Sequence, residues 1–467
     1  MRRSILTSLV IVFCLALLTA ALRPPVAAQL TNELTLRDYN NGLRDATDIL
    51  QQRIDRGGHV WIPSGTYKIS RTLLVDLETD GIRSLSGNGT ATLVMTGPGP
   101  AIKVVGTHFK SADPQNYDPK VWTQERMPLI DGLAITATHA EADGIEAVGT
   151  MQLTITRTHI RKCRHAVRLA QNNRNVIISN SHFYENSGCG VFYDDVNLHQ
   201  SNITGCHISY NGGGGIVSRK GNVRNIHIAG CDIESNMSPD SPPTANVLID
   251  CRESAYGTAE VAITGCTIQH NNPSPESANI RIIGRSNANE KQELVREGNV
   301  TIAGNVLSDV QVNIHLQDCR GVAVTGNTLW QGYTYNLLLE DCTNIVFAGN
   351  NLDRNPRYDY GNTADANNSV VIRRCADCSL SSLHISNVWR NPAGLLLEDC
   401  QRMHLSDSTV LDCDNCGVWL KNVSNSYVHG LMVRDDRPDS QTLSLKVTGG
   451  SGNRFGDNFL QREMVSE

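Results

Sequence analysis

Five short alternating segments carry ionisable side chains at matching positions. Asp194, Arg219 and Asp250 each stand three residues after an apolar Val or Ile, while Arg281 and His315 directly follow an Ile. Strand faces alternate, so these groups would share one outward surface. Carboxylates beside cationic groups and imidazole can bind an acidic sugar or Ca²⁺, and can supply a base that removes the C5 proton of a uronate. The predicted catalytic residues are Asp194, Arg219, Lys220, Asp250, Arg281 and His315; if calcium is used, its predicted ligands are Asp194, Asp195 and Asp250.

The same alternation of sign continues further along the chain. It reappears at Glu340-Asp341, Arg373-Arg374, Glu398-Asp399 and Lys421. Opposite charges on neighbouring strands are also the ordinary cross-strand pairs of a solvated sheet. For any one pair, a structural charge ladder and a functional cluster are therefore both open interpretations.

Insertions distinguish the first cluster from the rest of the ladder. Residues 236–245 and 271–278 precede two of its segments, and residues 284–298 follow one of them. Loops in these places would wall a groove over the stretch from Arg219 to His315. Loops carried on a rigid scaffold commonly hold binding residues, which favours this stretch as the site.

The longest insertion, residues 106–128, contributes aromatic side chains. Phe109, Tyr117 and Trp122 are candidates for stacking on sugar rings, and Arg168 in the outward column is a further candidate for binding substrate. The alternative is that the aromatic rings only pack this loop onto the rest of the protein.

The elements that must position these groups are short repeats. One unit reads apolar-x-apolar-x-Gly-Asn/Cys, with its glycine at Gly205, Gly230, Gly265, Gly304, Gly326 and Gly349. The glycines are 25, 35, 39, 22 and 23 residues apart, so the base period is about 22–25 residues, with insertions in two repeats. A second unit, with Gly, Asn or Ser before Ile, Val or Leu, follows each of them.

A repeat of this length cannot close a hydrophobic core by itself. Stacking repeats at the strand spacing of about 4.8 Å buries each apolar side chain over its equivalent in the next repeat. The Leu-x-x-Leu-x-Leu frame of leucine-rich repeats is absent. The sequence therefore predicts an all-β protein, a right-handed parallel β-helix of about 10–12 coils.

The cysteines fit such stacking. Residues after position 28 include 13 of the 14 cysteines, an odd number for a set of disulfides. One column holds Cys206, Cys231 and Cys266, followed by Asn305, Asn327 and Asn350; a second holds Cys319, Cys342, Cys375 and Cys400. Stacked inward cysteines act as small apolar groups, and stacked asparagines hydrogen-bond along their column. Disulfides within the columns, and a zinc site formed by Cys375-x-x-Cys378 and Cys413-x-x-Cys416, are the alternatives.

The N-terminal segment predicts export. Arg2 and Arg3 precede an apolar run and small residues near Ala28, the pattern of a signal peptide over residues 1–28. Its removal leaves 38 basic and 47 acidic residues, a net charge of −9, which argues against nucleic acid and anionic membranes as partners. No later segment is apolar enough to span a membrane. We expect a secreted or periplasmic monomer.

Residues 45–54 predict an amphipathic helix that caps the open end of the solenoid. Ala46, Ile49, Leu50 and Ile54 share one face of it. The predicted organisation is a signal peptide (1–28), a cap with first strands (29–75), the β-helix (76–460) and a short tail (461–467).

The helix, Gly57-Gly58, the segment Val60-Trp61-Ile62-Pro63-Ser64-Gly65-Thr66-Tyr67 and the following repeats resemble the pectate-lyase-like right-handed β-helix superfamily. The resemblance covers roughly residues 33–460. It implies a carbohydrate-active protein, since members are mostly lyases, hydrolases and C5-epimerases of acidic polysaccharides. Asp143-Gly144-Ile145 is similar to one element of the polygalacturonase pattern, whose Gly-His-Gly and Arg-Ile-Lys partners are absent. The Asp-Pro-His-Asp of mannuronan epimerases is also absent.

Three functional hypotheses follow, with polysaccharide as the expected partner in each. The first is a lyase or epimerase acting on uronate-containing glycans. The second is a glycoside hydrolase with paired carboxylates, for which Asp194 and Asp250 would lie about 9.6 Å apart across two strand spacings. The third is a non-catalytic glycan-binding or surface protein.

Overall fold

A computed structural model describes residues 35–113, 115–241, 243–287, 294–359 and 361–466 of the chain. The predicted signal peptide, residues 1–28, lies outside the described residues. Within the described part of the chain, no helix has the length and apolar character needed to cross a membrane.

Short strands dominate the chain and pair in parallel with strands one coil away. Each coil visits three faces in turn, named sheets 1, 2 and 3 here. Residues 201–204, 207–209 and 216–219, for example, pair with 226–229, 232–234 and 247–250 of the next coil. The predicted right-handed parallel β-helix is therefore confirmed.

Sheet 1 contains the strands Gly58–Trp61, Arg83–Met95, Leu129–Ala137, Thr154–Thr156, Val167–Ser179, Cys189–Thr204, Asn222–Ala229, Thr258–Thr264, Gly298–Ala303, Arg320–Thr325, Thr343–Ala348, Ser379–Ser381, His404–Ser406, Tyr427–His429 and Arg454–Phe455.

Sheet 2 contains Asn41–Asp45, Gly65–Ile69, the second halves of Arg83–Met95 and Leu129–Ala137, then His159–Arg161, His182–Tyr184, His207–Ser209, Asp232–Glu234, Thr267–Gln269, Val306–Ser308, Thr328–Leu329, Asn351–Leu352, His384–Ser386, Thr409–Leu411, Met432–Arg434 and Phe459–Leu460.

Sheet 3 contains Leu73–Asp76, Gly99–Val105, Ala142–Met151, the first halves of Val167–Ser179 and Cys189–Thr204, then Gly214–Arg219, Ala245–Asp250, Ala278–Ile283, Val310–Gln317, Gly332–Glu340, Ser369–Arg373, Leu395–Glu398, Cys416–Lys421, Leu443–Thr448 and Val465–Ser466. Arg285–Ser286 and Val295–Arg296 form a separate antiparallel pair.

The described residues give fifteen strands in sheet 3, more than the 10–12 coils expected. The difference lies at the two ends. The strands Leu73–Asp76 and Gly99–Val105 lack the repeat units recognised further along the chain, and the last strand, Val465–Ser466, is two residues long and falls in the predicted tail. It pairs with residues 446–447.

A ladder of buried asparagines runs along the interior. Each Nδ2 from Asn186 to Asn313 donates to the Oδ1 of the following member over 2.7–2.9 Å and also to a backbone carbonyl, and Asn336 is the last acceptor; the members are Asn186, Asn211, Asn236, Asn246, Asn279, Asn313 and Asn336. The predicted column Asn305–Asn327–Asn350 forms a second ladder of the same kind. Buried amides can remain inside the core because these partners satisfy them.

The cysteine columns are also present. The Cys231 amide lies 3.5 Å from Cys266 Sγ, and the Cys342 amide lies 3.4 Å from Cys375 Sγ. All 13 described cysteines are buried free thiols. The grouping of potential metal ligands found among the described residues contains no cysteine, so the zinc alternative is not supported.

The predicted amphipathic helix spans Thr47–Arg56. It begins two residues later than expected, because Asp45 ends a strand and its carboxylate accepts hydrogen bonds from the amide and hydroxyl of Thr47. Leu50 and Ile54 are buried in the main core cluster. The other helices are short: Leu77–Asp80 and Pro119–Gln124, with 3₁₀ turns at Leu36–Asp38, Pro356–Tyr358 and Thr363–Asp365.

Replacing a central member of the asparagine ladder tests its contribution to stability. Asn279→Ala leaves Asn246 Nδ2, Asn313 Oδ1 and the Ser308 carbonyl without their partner inside the core. Since each unsatisfied buried group costs about 1–3 kcal/mol, we expect a loss of about 2–4 kcal/mol in the free energy of unfolding, measured by urea denaturation. The exposed Asn202 is the control, and Asn202→Ala should change the free energy of unfolding by less than about 0.5 kcal/mol. Equal losses in the two variants would contradict a structural role for the ladder.

Candidate active site

The outward columns of sheet 3 have the predicted register. Asp194 pairs with Arg219 and Arg219 with Asp250 on successive coils. Arg281 pairs with His315 in the neighbouring column. These residues therefore share one outward surface, as the alternation of strand faces predicted.

Two adjoining depressions lie over the later part of this surface. One, of about 500 Å³, is lined by Arg219, Asp250, Arg281 and His315, with Pro243 and Glu276 from the inserted loops. The other, of about 360 Å³, shares Glu276, Arg281 and His315 and continues past residues 273–275 to Glu340 and Arg373. Together they form a groove across successive coils, with the inserted loops as walls, and we call it the sheet 3 groove.

Arg281 is the central cation of the groove, and its residue surface is only 7% exposed. Its Nη1 and Nη2 donate to the carbonyl oxygens of Thr244 and Glu276, over 3.3 and 2.6 Å, and its Nε donates to His315 Nδ1 over 3.2 Å. A guanidinium has five N–H groups, so two remain available for a carboxylate in the groove. The loop carbonyls hold the group in a fixed orientation.

His315 connects this cation to a carboxylate. Because Arg281 donates to Nδ1, the neutral ring carries its proton on Nε2, which lies 2.9 Å from Glu340 Oε2. Burial lowers the pKa of His315, and the nearby charge of Arg281 lowers it further. The imidazole is therefore a neutral bridge at neutral pH, with its basic nitrogen facing Arg281.

Glu340 also lines the groove, although the sequence placed it in the continuing charge alternation outside the predicted site. It lies one coil beyond His315 in the neighbouring column, so the two side chains meet diagonally. Arg373 Nε donates to Glu340 Oε1 over 2.7 Å. Burial alone would raise the pKa of Glu340, but the hydrogen bonds from Arg373 and His315 lower it below its usual range. The Glu340 carboxylate is therefore ionised and points at the imidazole of His315. The sequence could have indicated this pair if residues two positions further along the next coil's strand had been considered as partners.

Arg219 is exposed and makes no hydrogen bond or ion pair with the described residues, although it lines the groove beside Asp250. Lys220, its neighbour, instead pairs with Glu253 over 3.1 Å. Lys220 follows the end of the strand Gly214–Arg219 and does not line the groove, whereas Arg219 does.

The carboxylates predicted to bind calcium do not come together. Arg168 pairs diagonally with Asp194 and directly with Glu146 opposite it, and Asp250 pairs with Arg252. Asp194 and Asp250 are also separated by Arg219 on the intervening coil. Asp194, Asp195 and Asp250 do not form a metal-ligand grouping, so the calcium prediction at these residues is not supported.

The paired-carboxylate hypothesis is weakened by the same contacts. Burial alone would raise the pKa of Asp250, but hydrogen bonds from Arg252 lower it. A hydrolase needs one protonated carboxyl group as its acid. Asp250 is therefore a poor candidate for that role, and Asp194 is held by Arg168.

The aromatic loop lies elsewhere. Ser111 anchors it against Asn173 and His199, on coils that precede the groove. Tyr117 packs against His108 and Trp122 within the loop. None of the predicted stacking residues Phe109, Tyr117 and Trp122, nor Arg168, lines the sheet 3 groove. Phe109 and Trp122 remain partly exposed, but on a different part of the surface.

Comparison with known proteins agrees with the architecture. Residues 122–255 match the family model "Right handed beta helix region", and residues 246–460 match "Periplasmic copper-binding protein (NosD)". Both matches agree with the right-handed parallel β-helix fold of this chain and with its resemblance to the pectate-lyase-like superfamily. Within that class, its C-terminal half is similar to the NosD family in particular. No curated protein sequence matches significantly.

Some solved structures are similar to this chain at low sequence identity. The tailspike of the E. coli bacteriophage HK620, in complex with a pentasaccharide, is 12% identical with a TM-score of 0.46, over 89% of this chain and 78% of that one. The mannuronan C-5 epimerase AlgE4 A-module of Azotobacter vinelandii is 11% identical with a TM-score of 0.31, over 92% and 96%. Tailspike protein 3 of bacteriophage CBA120 is 11% identical with a TM-score of 0.37, and 92% of this chain spans only 59% of it.

The contact between Arg281 and His315 predicts a measurable pKa change. Replacing the cation in Arg281→Gln removes an unfavourable charge and opens the site to water, so the pKa of His315 should rise toward the usual value of about 6.5. Proton NMR titration of ¹³C-labelled histidine, with His315→Gln to assign the resonance, measures it. Lys421→Gln, on the same sheet beyond the groove, should leave this pKa unchanged. An unaltered His315 titration in Arg281→Gln would contradict the arrangement.

Proposed function

We propose that this protein is an exported polysaccharide lyase that cleaves uronate-containing glycans in the sheet 3 groove. The observation that carries the proposal is the chain of side chains Arg281–His315–Glu340 on the groove floor. It combines a held cation, a neutral base and a carboxylate that orients the base, which are the parts needed to remove a proton beside a carboxylate. Export is supported by the N-terminal pattern and by the description of the NosD family as periplasmic.

The arginines would bind the uronate carboxylate. Arg219 makes no hydrogen bond or ion pair with the described residues at one end of the groove, and Arg281 keeps two N–H donors beyond those used by the loop carbonyls and His315. Removing the C5 proton leaves negative charge on the carboxylate, and fixed cations stabilise that charge as it develops. Arg281 is already oriented and partly dehydrated, so this stabilisation needs little rearrangement.

His315 would accept the proton. When a substrate carboxylate takes the Nε–H of Arg281, the lone pair of His315 Nδ1 is released, while Glu340 continues to hold Nε2–H. The C5–H bond breaks, its proton moves to Nδ1, the electron pair forms the C4=C5 double bond, and the C4–O4 bond breaks as O4 takes a proton from water in the open groove. Return of a proton to the opposite face of C5 would instead give an epimer.

The test is turnover on a panel of acidic glycans, with and without calcium, followed by ultraviolet absorbance of the unsaturated product. His315→Gln should lower kcat by about 10²–10⁴-fold, the usual contribution of a general base. Arg219→Gln should raise KM with a smaller effect on kcat, because Arg219 binds substrate without touching the base. Lys421→Gln, whose partner Glu398 lies beyond the groove, is the matched control and should retain full activity.

Other products would identify the alternatives. Release of reducing ends without ultraviolet absorbance would indicate a hydrolase, and exchange of C5 hydrogen with solvent deuterium without chain cleavage would indicate an epimerase. Retention of the glycan without any turnover would indicate a binding protein. Each of these results, or full activity in His315→Gln, would overturn the lyase proposal.

A further inference from the structure

A second set of ionisable side chains lies on sheet 2, away from the groove. On three successive coils, the inward residues Phe183, Ile208 and Ile233 are fully buried, so the residues on either side of them point outward. The outward positions of these coils are His182 and Tyr184, then His207 and Ser209, then Asp232 and Glu234. Imidazole and carboxylate groups are thereby brought together by the stacking of coils.

Three of these groups converge. One ligand atom each from His207, Asp232 and Glu234 lies within 4.8 Å of the other two. His207 Nε2 is 3.1 Å from Asp232 Oδ2. Asp232 directly follows His207 in the column, and Glu234 is on the same face two residues later, so the backbone fixes their separation.

Two tyrosine hydroxyls contact the donors. The hydroxyl of Tyr184 lies 2.5 Å from His207 Nδ1 and 3.2 Å from His207 Nε2, and Nε2 also lies 3.1 Å from Asp232 Oδ2. The hydroxyl of Tyr210 donates to Glu234 Oε1 over 3.4 Å. A partner on the second ring nitrogen is what metal-binding histidines almost always have, because it fixes the tautomer and the ring orientation.

The charge of this group is not balanced by arginine or lysine. Among the described residues, Asp232 and Glu234 form ion pairs only with imidazoles, those of His207 and His270, whereas the carboxylates of sheet 3 pair with arginine or lysine. A bound cation would compensate these two carboxylate charges.

We propose that His207, Asp232 and Glu234 form a binding site for a divalent transition-metal ion of the Zn²⁺ or Cu²⁺ class. One imidazole nitrogen and two carboxylate oxygens suit such ions, whereas Ca²⁺ and Mg²⁺ prefer ligand sets made only of oxygen. Binding draws the three donors toward the spacing of about 3.3 Å found in a site with metal–ligand bonds of about 2.0–2.1 Å. The site uses residues 207–234, outside the 246–460 range that matches the copper-binding family, so it does not depend on that match.

The experiment is a titration of the full-length protein, first dialysed against a chelator, with Zn²⁺ and separately with Cu²⁺ by calorimetry. We expect one saturable site per chain whose affinity falls at least tenfold in His207→Gln and in Glu234→Gln. With Cu²⁺, electron paramagnetic resonance should show nitrogen coupling that is lost in His207→Gln. Ca²⁺ should not compete. Thermal unfolding without metal checks that each variant is folded. If His207→Gln does not fold, Glu234→Gln, which keeps the shape of the side chain, tests the site by itself.

A matched control is available on another face. His404 and His429 on sheet 1 have their Nε2 atoms 3.0 Å apart and form a competing surface site for the same ions. His404→Gln should leave the high-affinity event unchanged. Loss of that event in His404→Gln, its persistence in both His207→Gln and Glu234→Gln, or the absence of saturable binding would each overturn the proposal.

Discussion

The fixed register between neighbouring coils is the constraint on which the rest of the structure depends. Asparagine side chains inside the solenoid hold it, because each amide such as Asn279 accepts from the coil before and donates to the coil after, as well as to a backbone carbonyl. A slip of one residue would break every contact of the ladder and turn the apolar side chains outward. Stacked apolar side chains account for most of the buried surface. The asparagine amides select one register, because only in that register do all their hydrogen bonds to the neighbouring coils form.

A fixed register arranges the outward side chains in straight columns along the solenoid. A site on this surface can therefore be built only from side chains in the same column or in adjacent columns. The arrangement found in the groove is diagonal: His315 reaches Glu340, one coil further and in the adjacent column. The pair of Arg168 and Asp194 is diagonal in the same sense. Charge alternation within one column therefore does not identify the partners, since long side chains choose between the opposite residue and its diagonal neighbour.

The repeats allowed the sequence to predict the fold, the register and the surface that carries Arg219, Asp250, Arg281 and His315. They could not predict the pairing of side chains, because rotamers and local burial decide it: Asp250 turned to Arg252 in its own loop rather than to Arg219. The repeat pattern also could not predict where the aromatic loop lies, because its contact with His199 joins segments 88 residues apart. The sequence did not predict the group His207, Asp232 and Glu234 on sheet 2. These residues lie on three-residue strands that show no alternation of charge from coil to coil.

Two sets of charged side chains on sheet 3 differ in their surroundings. Lys421 and Glu398 pair on an open surface, where the lysine side chain is 49% exposed and such pairs contribute little to stability. Arg281 is instead almost fully buried beneath loops, and it is partnered by carbonyl oxygens and a neutral imidazole rather than by a carboxylate. Burying a cation in this way lowers the stability of the fold. The fold does not require a cation at this position, since the apolar residue Leu248 occupies the corresponding position one coil earlier. Local arrangements that conflict with stability are expected where a protein binds or transforms a ligand, and the missing counter-charge of Arg281 is the place where an acidic ligand would complete the site.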